Sequence, residues 1–405
     1  MPRGKLPQAR PFALVHQSNT GETQMAMMER ILRLMAEKEA SDVYLSPFAP
    51  ALIKINGQCV PINSQPLGKD SPIKLLSEVL PPTKIEELEE MGELNVAMPI
   101  DGVGNFRISA MRQRGTYAVV IRYITLNIPK LEELKVPPIL GDLVMEKRGL
   151  VLVVGATGSG KSTTLASMLD HRNSRVSGHI LTIEDPVEFM IRHKKSVVNQ
   201  REVGSDTVSM QLALKNALRQ APDVIMIGEI RDRETMSAAL AYAQSGHVCL
   251  ATLHANNSYH ALNRILSFYP VEARPTMLGD LAAALKAVVS QRLLRTVEGK
   301  RVPAVEVMLN TALISDLIAK SDVSGVREAM EKSLAEGSQT FESDLARLIT
   351  SGTVSREEGL AYADSPTNLI WRLQNAQIAA TTKVPEVPVE DPDDTPTFTE
   401  FTFNA

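Results

Sequence analysis

Apolar positions change their spacing along this chain, and the changes mark its parts. Residues 1–24 are polar, hold Pro and Gly, and show no periodicity, so disorder is expected there. From residue 25, Met28, Ile31, Leu32 and Met35 recur on one face of a helix, which Ala40-Ser41-Asp42 ends. Residues 43–45 and 51–55 read as short strands, and Asn56-Gly57 is a hairpin turn leading into 58–62. Helical patterns follow at 71–80 and 83–91, then β-rich runs at 105–111 and 117–124. Together these predict a small α+β domain, helix plus antiparallel sheet, ending near residue 127.

The second half alternates differently. Residues 129–138 read as a linker with one short charged helix, and 140–147 as a helix leading into the apolar run 150–154. Strands are predicted at 179–183, 224–227 and 248–252, and helices at 161–174, 209–220, 233–244 and 258–268. Strands alternating with helices imply a doubly wound α/β domain, with ligand at the carboxyl ends of its parallel strands. Beyond residue 271 the pattern is mostly helical. Residues 277–289 carry apolar side chains at helical spacing, ahead of Gln291-Arg292-Leu293-Leu294. One more strand fits 303–308, and helices fit 312–319, 323–336, 341–351 and 355–363. The last 30 or so residues are rich in Pro, Thr and acids and read as a disordered acidic tail. The expected division is an extension over 1–24, an α+β domain over 25–127, a linker over 128–139, an α/β domain with a helical portion over 140–375, and a tail over 376–405.

Composition narrows the classes. Of 405 residues 44% are hydrophobic, enough for packed cores, but only 4% are aromatic and the net charge is −4. Few aromatics and no excess of positive charge argue against a nucleic-acid binder. Cys59 and Cys249 stand far apart, without a CxxC pair, and read as two buried thiols rather than a zinc or disulfide framework. No apolar run approaches the length of a membrane span, and no apolar stretch follows the basic residues at the start. A reduced, cytoplasmic setting is the expectation.

The candidate chemistry begins where the apolar run 150–154 breaks into glycines. Gly155, Ala156, Thr157, Gly158, Ser159, Gly160, Lys161, Ser162 and Thr163 have the G-x-x-x-x-G-K-[ST] spacing of a P-loop. Glycines let the backbone turn its N–H groups onto phosphate oxygens, and the helix starting near Lys161 adds its dipole. Lys161 suits the β- and γ-phosphates, and the Ser162 hydroxyl suits Mg²⁺. Two acidic stretches follow predicted strands. Glu184, Asp185 and Glu188 can hold Mg²⁺ through water or orient the attacking water, or else form a solvated acidic loop. Glu229, at the end of DVIMIGE, can accept a proton from water beside the metal, or else cap the next helix. His247 and His254 bracket the run 248–252; each can sense the γ-phosphate, contact another subunit, or be structural.

Taken together, the boxes GATGSGKS, IEDPVEF, LRQAPDVIMIGEIRD and GHVCLATLHANN resemble those of the secretion-superfamily ATPases. The absence of a four-cysteine insert resembles the pilus retraction branch (PilT/PilU), and QREVGSDT with the acidic tail is similar to its PilU side. Residues 312–318 read ALISDLI where the PilT side reads AIRNLI, which favours an accessory role in retraction over an independent one. The resemblance implies a RecA-like P-loop NTPase domain preceded by a PAS-like domain, ATP and Mg²⁺ as ligands, and a homohexameric ring. It also implies that arginines of the first domain reach nucleotide, with Arg107 and Arg122 at the matching positions and Arg112 and Arg114 as lesser candidates. The implied partners are a sister retraction ATPase and an inner-membrane pilus platform protein, at the cytoplasmic face of that membrane. The rival readings are a PilT-like primary motor, a RecA-like nucleic-acid translocase, and a ring that binds ATP and scarcely hydrolyses it.

Overall fold

A computed structural model describes residues 26–381, apart from 56, 101, 125, 126 and 334. The expected extension over 1–24, Asn56 of the hairpin turn, and the tail beyond 381 lie outside the described residues. The chain forms two units, Met1–Thr125 and Leu126–Ala405.

The first unit runs α1 (Met27–Glu37), β1 (Asp42–Leu45), β2 (Pro50–Ile55), β3 (Gln58–Pro66), α2 (Ser71–Ser77), α3 (Pro82–Met91), β4 (Glu93–Ile100), β5 (Gly104–Gln113) and β6 (Thr116–Ile124). Its sheet is antiparallel, in the order β3-β2-β1-β6-β5-β4. The apolar face of α1 is the one its spacing marks: Met28, Ile31, Leu32 and Met35 are buried with Phe106 and Ile108. Strand β4 was not anticipated, although Leu94, Val96, Met98 and Ile100 alternate along it. Pro99 hides the signal, and it is tolerated because β4 lies at the sheet edge. The expectation of two buried thiols is corrected. Cys249 is buried, but Cys59 sits on edge strand β3, which is exposed along nearly its whole length.

The second unit begins with α4 (Ile139–Met145), β7 (Gly149–Val154), α5 (Lys161–Asn173), β8 (Gly178–Glu184) and β9 (Ser196–Glu202). It continues with α6 (Met210–Ala217), β10 (Val224–Ile227), α7 (Arg233–Gln244), β11 (Val248–Leu253), α8 (Ser258–Ser267) and α9 (Arg274–Ala284). It closes with β12 (Leu285–Arg295), β13 (Arg301–Leu309), α10 (Ala312–Ala319), α11 (Val323–Glu331), α12 (Phe341–Thr350), α13 (Arg356–Ala361) and α14 (Pro366–Thr381). The sheet order is β13-β12-β7-β11-β10-β8-β9. Every neighbouring pair from β12 to β9 is parallel, and β13 joins antiparallel at the edge.

Two expectations change here. The helix expected over 277–289 ends at Ala284, and the rest enters β12. That strand is covered on both faces between β7 and β13, and a fully buried apolar run has no period that separates strand from helix. The polar edge strand β9 also went unforeseen. Helix α14 passes the boundary drawn at 375. Helices α12 and α14 pack Phe341, Leu345, Leu369 and Leu373 against Leu294 and Val302 of the β12–β13 hairpin.

Candidate nucleotide site

Strand β7 is buried at every position, as a β-branched and leucine run at the middle of a parallel sheet must be. Its register with β11 places Val154 level with Leu253, so the P-loop and the loop carrying His254 leave the sheet side by side. Strand β10 stands level with β8, Ile227 opposite Ile183, which brings Gly228 and Glu229 beside Glu184. Gly228 N donates to Ile183 O at 2.8 Å, and a Cβ on Gly228 would lie 3.1 Å from Glu184 Cα. Glycine therefore lets the two acidic stretches close on each other. The resulting cleft of about 420 Å³ is lined by Lys161, Ser162, Glu184, Glu188, Glu229 and His254, among others.

The loop itself fits a phosphate-bearing ligand. Gly155 and Gly160 hold φ of 156° and 91°; a Cβ on Gly155 would meet Gln291 O at 2.5 Å, and one on Gly160 would meet Gln291 Nε2 at 2.7 Å. Ala156, Thr157 and Gly158 are exposed, while Ser159 is buried and its Oγ has no hydrogen-bond partner. Lys161 is buried, and its ammonium donates to Gly155 O and Ala156 O, both at 2.9 Å. An ammonium has three donors, so one remains uncommitted to these carbonyls. Burial pulls the Lys161 pKa down, and the charges of Glu229 and Glu188 pull it back up. Ser162 and Thr163 begin α5 and are partly exposed.

The acids are held differently. Glu184 is buried, and its Oε1 accepts from Thr182 Oγ1 at 2.6 Å and Gln200 Nε2 at 3.1 Å. Burial outweighs these bonds and pushes its carboxyl up to about 6. Glu188 is exposed at the cleft. Glu229 has a neighbour at each oxygen: Arg231 Nε donates to Oε2 at 2.8 Å, and His254 Nε2 lies 3.1 Å from Oε1. Arg231 also reaches Asp185 at 3.3 Å and so ties the two acidic stretches together. The alternative role of Glu229 as a helix cap falls away, because Asp232 caps α7 by accepting from Thr235 N at 2.8 Å.

His247 is a correction. It precedes β11 and lies at the amino edge of the sheet, where its carbonyl accepts from Gly149 N at 3.0 Å. Six residues of strand separate it from the His254 loop, roughly 20 Å at the usual rise per residue. Its Nδ1 meets Ser245 Oγ at 3.1 Å and Tyr242 O at 3.3 Å, and it does not line the cleft. It therefore cannot sense a γ-phosphate held by its own chain. Arg107 and Arg122 lie in the first unit as directly opposed residues of β5 and β6, which puts them on one sheet face. Arg122 Nε donates to buried Asp42 at 2.9 Å.

Several site residues escaped the sequence reading. Gln291 bonds Thr164 Oγ1 at 2.9 Å behind the P-loop, and Arg301 lines the cleft; both belong to the β12–β13 hairpin, whose residues 285–289 were read as helix. Arg231 was visible inside GEIRD, two residues from Glu229, but spacing alone does not say that a side chain turns back. No group of three or more His, Cys, Asp or Glu that could hold a metal occurs among the described residues. Mg²⁺ bound by a hydroxyl, phosphates and waters does not need one, so the donor set at Ser162 fits that ion.

A parallel sheet with a glycine phosphate loop, a buried lysine and convergent carboxylates defines a P-loop nucleotide-binding domain. Residues 19–338 match the family of type II/IV secretion system proteins. The chain is 47% identical to the type IV pilus ATPase PilU of Pseudomonas aeruginosa, over 84% of this chain and 90% of that protein. It is 37% identical to the pilus retraction ATPase PilT of the same organism, over 84% and 98%. The crystal structure of the pilus retraction motor PilT with bound ADP superposes with a TM-score of 0.79 at 36% identity, over 86% of this chain and all of that one. The chain belongs to this family, in its branch of type IV pilus retraction ATPases.

Proposed function

We propose that this protein is an ATP-hydrolysing motor that assists pilus retraction and twitching motility in the manner of PilU. The observation that carries the reading is the meeting of Lys161, Glu184, Glu188, Glu229 and His254 in one cleft at the carboxyl edge of the sheet. Lys161 and the P-loop N–H groups bind the phosphates, and Ser162 binds Mg²⁺. Mg²⁺, when bound, screens phosphate charge and helps the leaving group depart. Glu229 takes the proton of the attacking water. Arg231 holds one of its oxygens, and His254 Nε2 lies 3.1 Å from the other. Glu184 and Glu188 order water or metal at the same edge. Turnover of purified protein tests this: Glu229→Gln should keep ATP binding and lose hydrolysis, and unchanged hydrolysis would remove the base.

The finer parts of the reading are a homohexameric ring, a sister retraction ATPase and an inner-membrane platform protein as partners, and a place at the cytoplasmic face of that membrane. Their support is the similarity to PilU and PilT, together with ALISDLI at 312–318. Among the described residues no helix is long and apolar enough to cross a membrane. In a ring, Arg107 and Arg122 are the guanidinium donors proposed for nucleotide, since that group neutralises charge on a phosphoryl transition state. Retraction scored in strains lacking this gene, its nearest paralogue, or both separates an accessory motor from a primary one.

A further inference from the structure

The loop after β11 runs from His254 to Asn257. At its start, His254 Nε2 lies 3.1 Å from Glu229 Oε1. At its end, fully buried Asn257 caps α8, its Oδ1 accepting from His260 N at 3.0 Å. That cap orients the amide, so its Nδ2 faces Asp364 Oδ2 at 2.8 Å. Ser258 donates from N and Oγ to buried Glu306 at 2.8 and 2.7 Å. Asn256 O accepts from Arg292 Nη2 at 3.1 Å.

Arg292 and Asp364 also grip each other. Arg292 Nη2 bonds Asp364 Oδ1, its Nη1 donates to Tyr362 O, and its guanidinium lies 3.9 Å from the centre of the Phe341 ring. The two side chains are 16% and 22% exposed. A guanidinium with so many partners, stacked and shielded, has little freedom to move. Strand β12 thereby connects two places. Gln291 touches the segment behind the P-loop, and the next residue, Arg292, fastens the His254 loop to the segment between α13 and α14.

We infer that Arg292 and Asp364 are positioning residues for hydrolysis: their clasp holds the loop at Asn256 and Asn257, and through it His254 against Glu229. Neither residue touches the reacting atoms. The helices α12–α14 then set the aim of the catalytic base, and a load on those helices reaches the site by this route. The inference rests on Glu229 being that base. Small displacements of a catalytic group cost large factors in rate, while Asp364 bonds Asn257 and Arg292 rather than the P-loop.

The test is steady-state ATP hydrolysis by the full chain carrying Asp364→Ala, His254→Ala or both, with Glu229→Gln alongside. Asp364→Ala should lower kcat about tenfold and leave KM for ATP within about twofold. In the His254→Ala background the same change should have no further effect, because its route to Glu229 is already gone. Asp364→Asn keeps an acceptor for Arg292 but sets an amide against Asn257. It should give a smaller loss, of about threefold, and carries the same cycle if thermal unfolding shows the alanine variant to be unfolded. An unchanged kcat, a KM effect as large as the kcat effect, or losses that multiply fully in the double variant would overturn the clasp. Wild-type turnover by Glu229→Gln would instead overturn the reading of the site and is told apart by that variant alone.

Discussion

The two edges of the parallel sheet are built from the same strands, and their charged groups are treated differently. At the amino edge most polar groups find partners, although the buried Oδ1 of Asn310 there has none. Buried Arg172 donates to Val144 O and Glu146 O, Asp223 accepts from His179 N at 2.7 Å, and the His247 carbonyl accepts from Gly149 N. At the carboxyl edge, a lysine is buried on two carbonyls, Ser159 Oγ has no partner, and a carboxyl is pushed up by burial. Satisfied groups contribute stability, while incompletely satisfied ones are available to a ligand. A histidine at each end of β11 makes the same point, since only His254 reaches a catalytic candidate.

Perturbing each edge should therefore move a different quantity. The largest effect belongs to Glu229→Gln, for which kcat should fall by about 10²–10⁴, with binding of a fluorescent ATP analogue retained. Lys161→Ala should follow, with kcat/KM lowered by roughly 10²–10³ and nucleotide binding weakened as well. At the other edge, Arg172→Ala should leave the turnover of folded protein intact but destabilise it by about 2–3 kcal/mol in denaturant titration, since it strands carbonyls that the guanidinium satisfies. A large loss of turnover from Arg172→Ala, at unchanged stability, would break the comparison.

Glu184 offers a pH test. Burial raises its carboxyl from the ordinary 4.5 to about 6, so the folded chain binds this proton more tightly than the unfolded one. Its contribution is present in full below about 4.5 and is lost as pH rises through about 6, by at most roughly 2 kcal/mol. Glu184→Gln should flatten that part of the stability profile. The smallest effect is expected at His247: His247→Ala should lower kcat at least about fivefold less than His254→Ala. The reverse order would assign the amino edge a part in catalysis.

Much of this was legible in one dimension. The phosphate loop, the strands expected over 224–227 and 248–252, and the buried face of α1 follow from local spacing and residue type. The start of β12, residues 285–289, was misread as helix, because a strand covered on both sides loses its alternation. Gln291 and Arg301 went unassigned because the groups they meet lie more than 100 residues away along the chain. Edge strands β4 and β9 were missed for the opposite reason, since partial exposure admits Pro99 and polar side chains that blur the pattern.

By itself the sequence determined that a triphosphate loop exists, that acids and a histidine follow later strands, and which family their boxes resemble. Those properties are local: they depend on bond geometry, on side-chain chemistry and on separations of a few residues. Only the tertiary structure decided that β11 lies between β7 and β10, that His254 rather than His247 meets Glu229, and that Asp364 closes on Arg292. Strand order and register are set by how distant segments bury one another, and no short window of the chain contains that information.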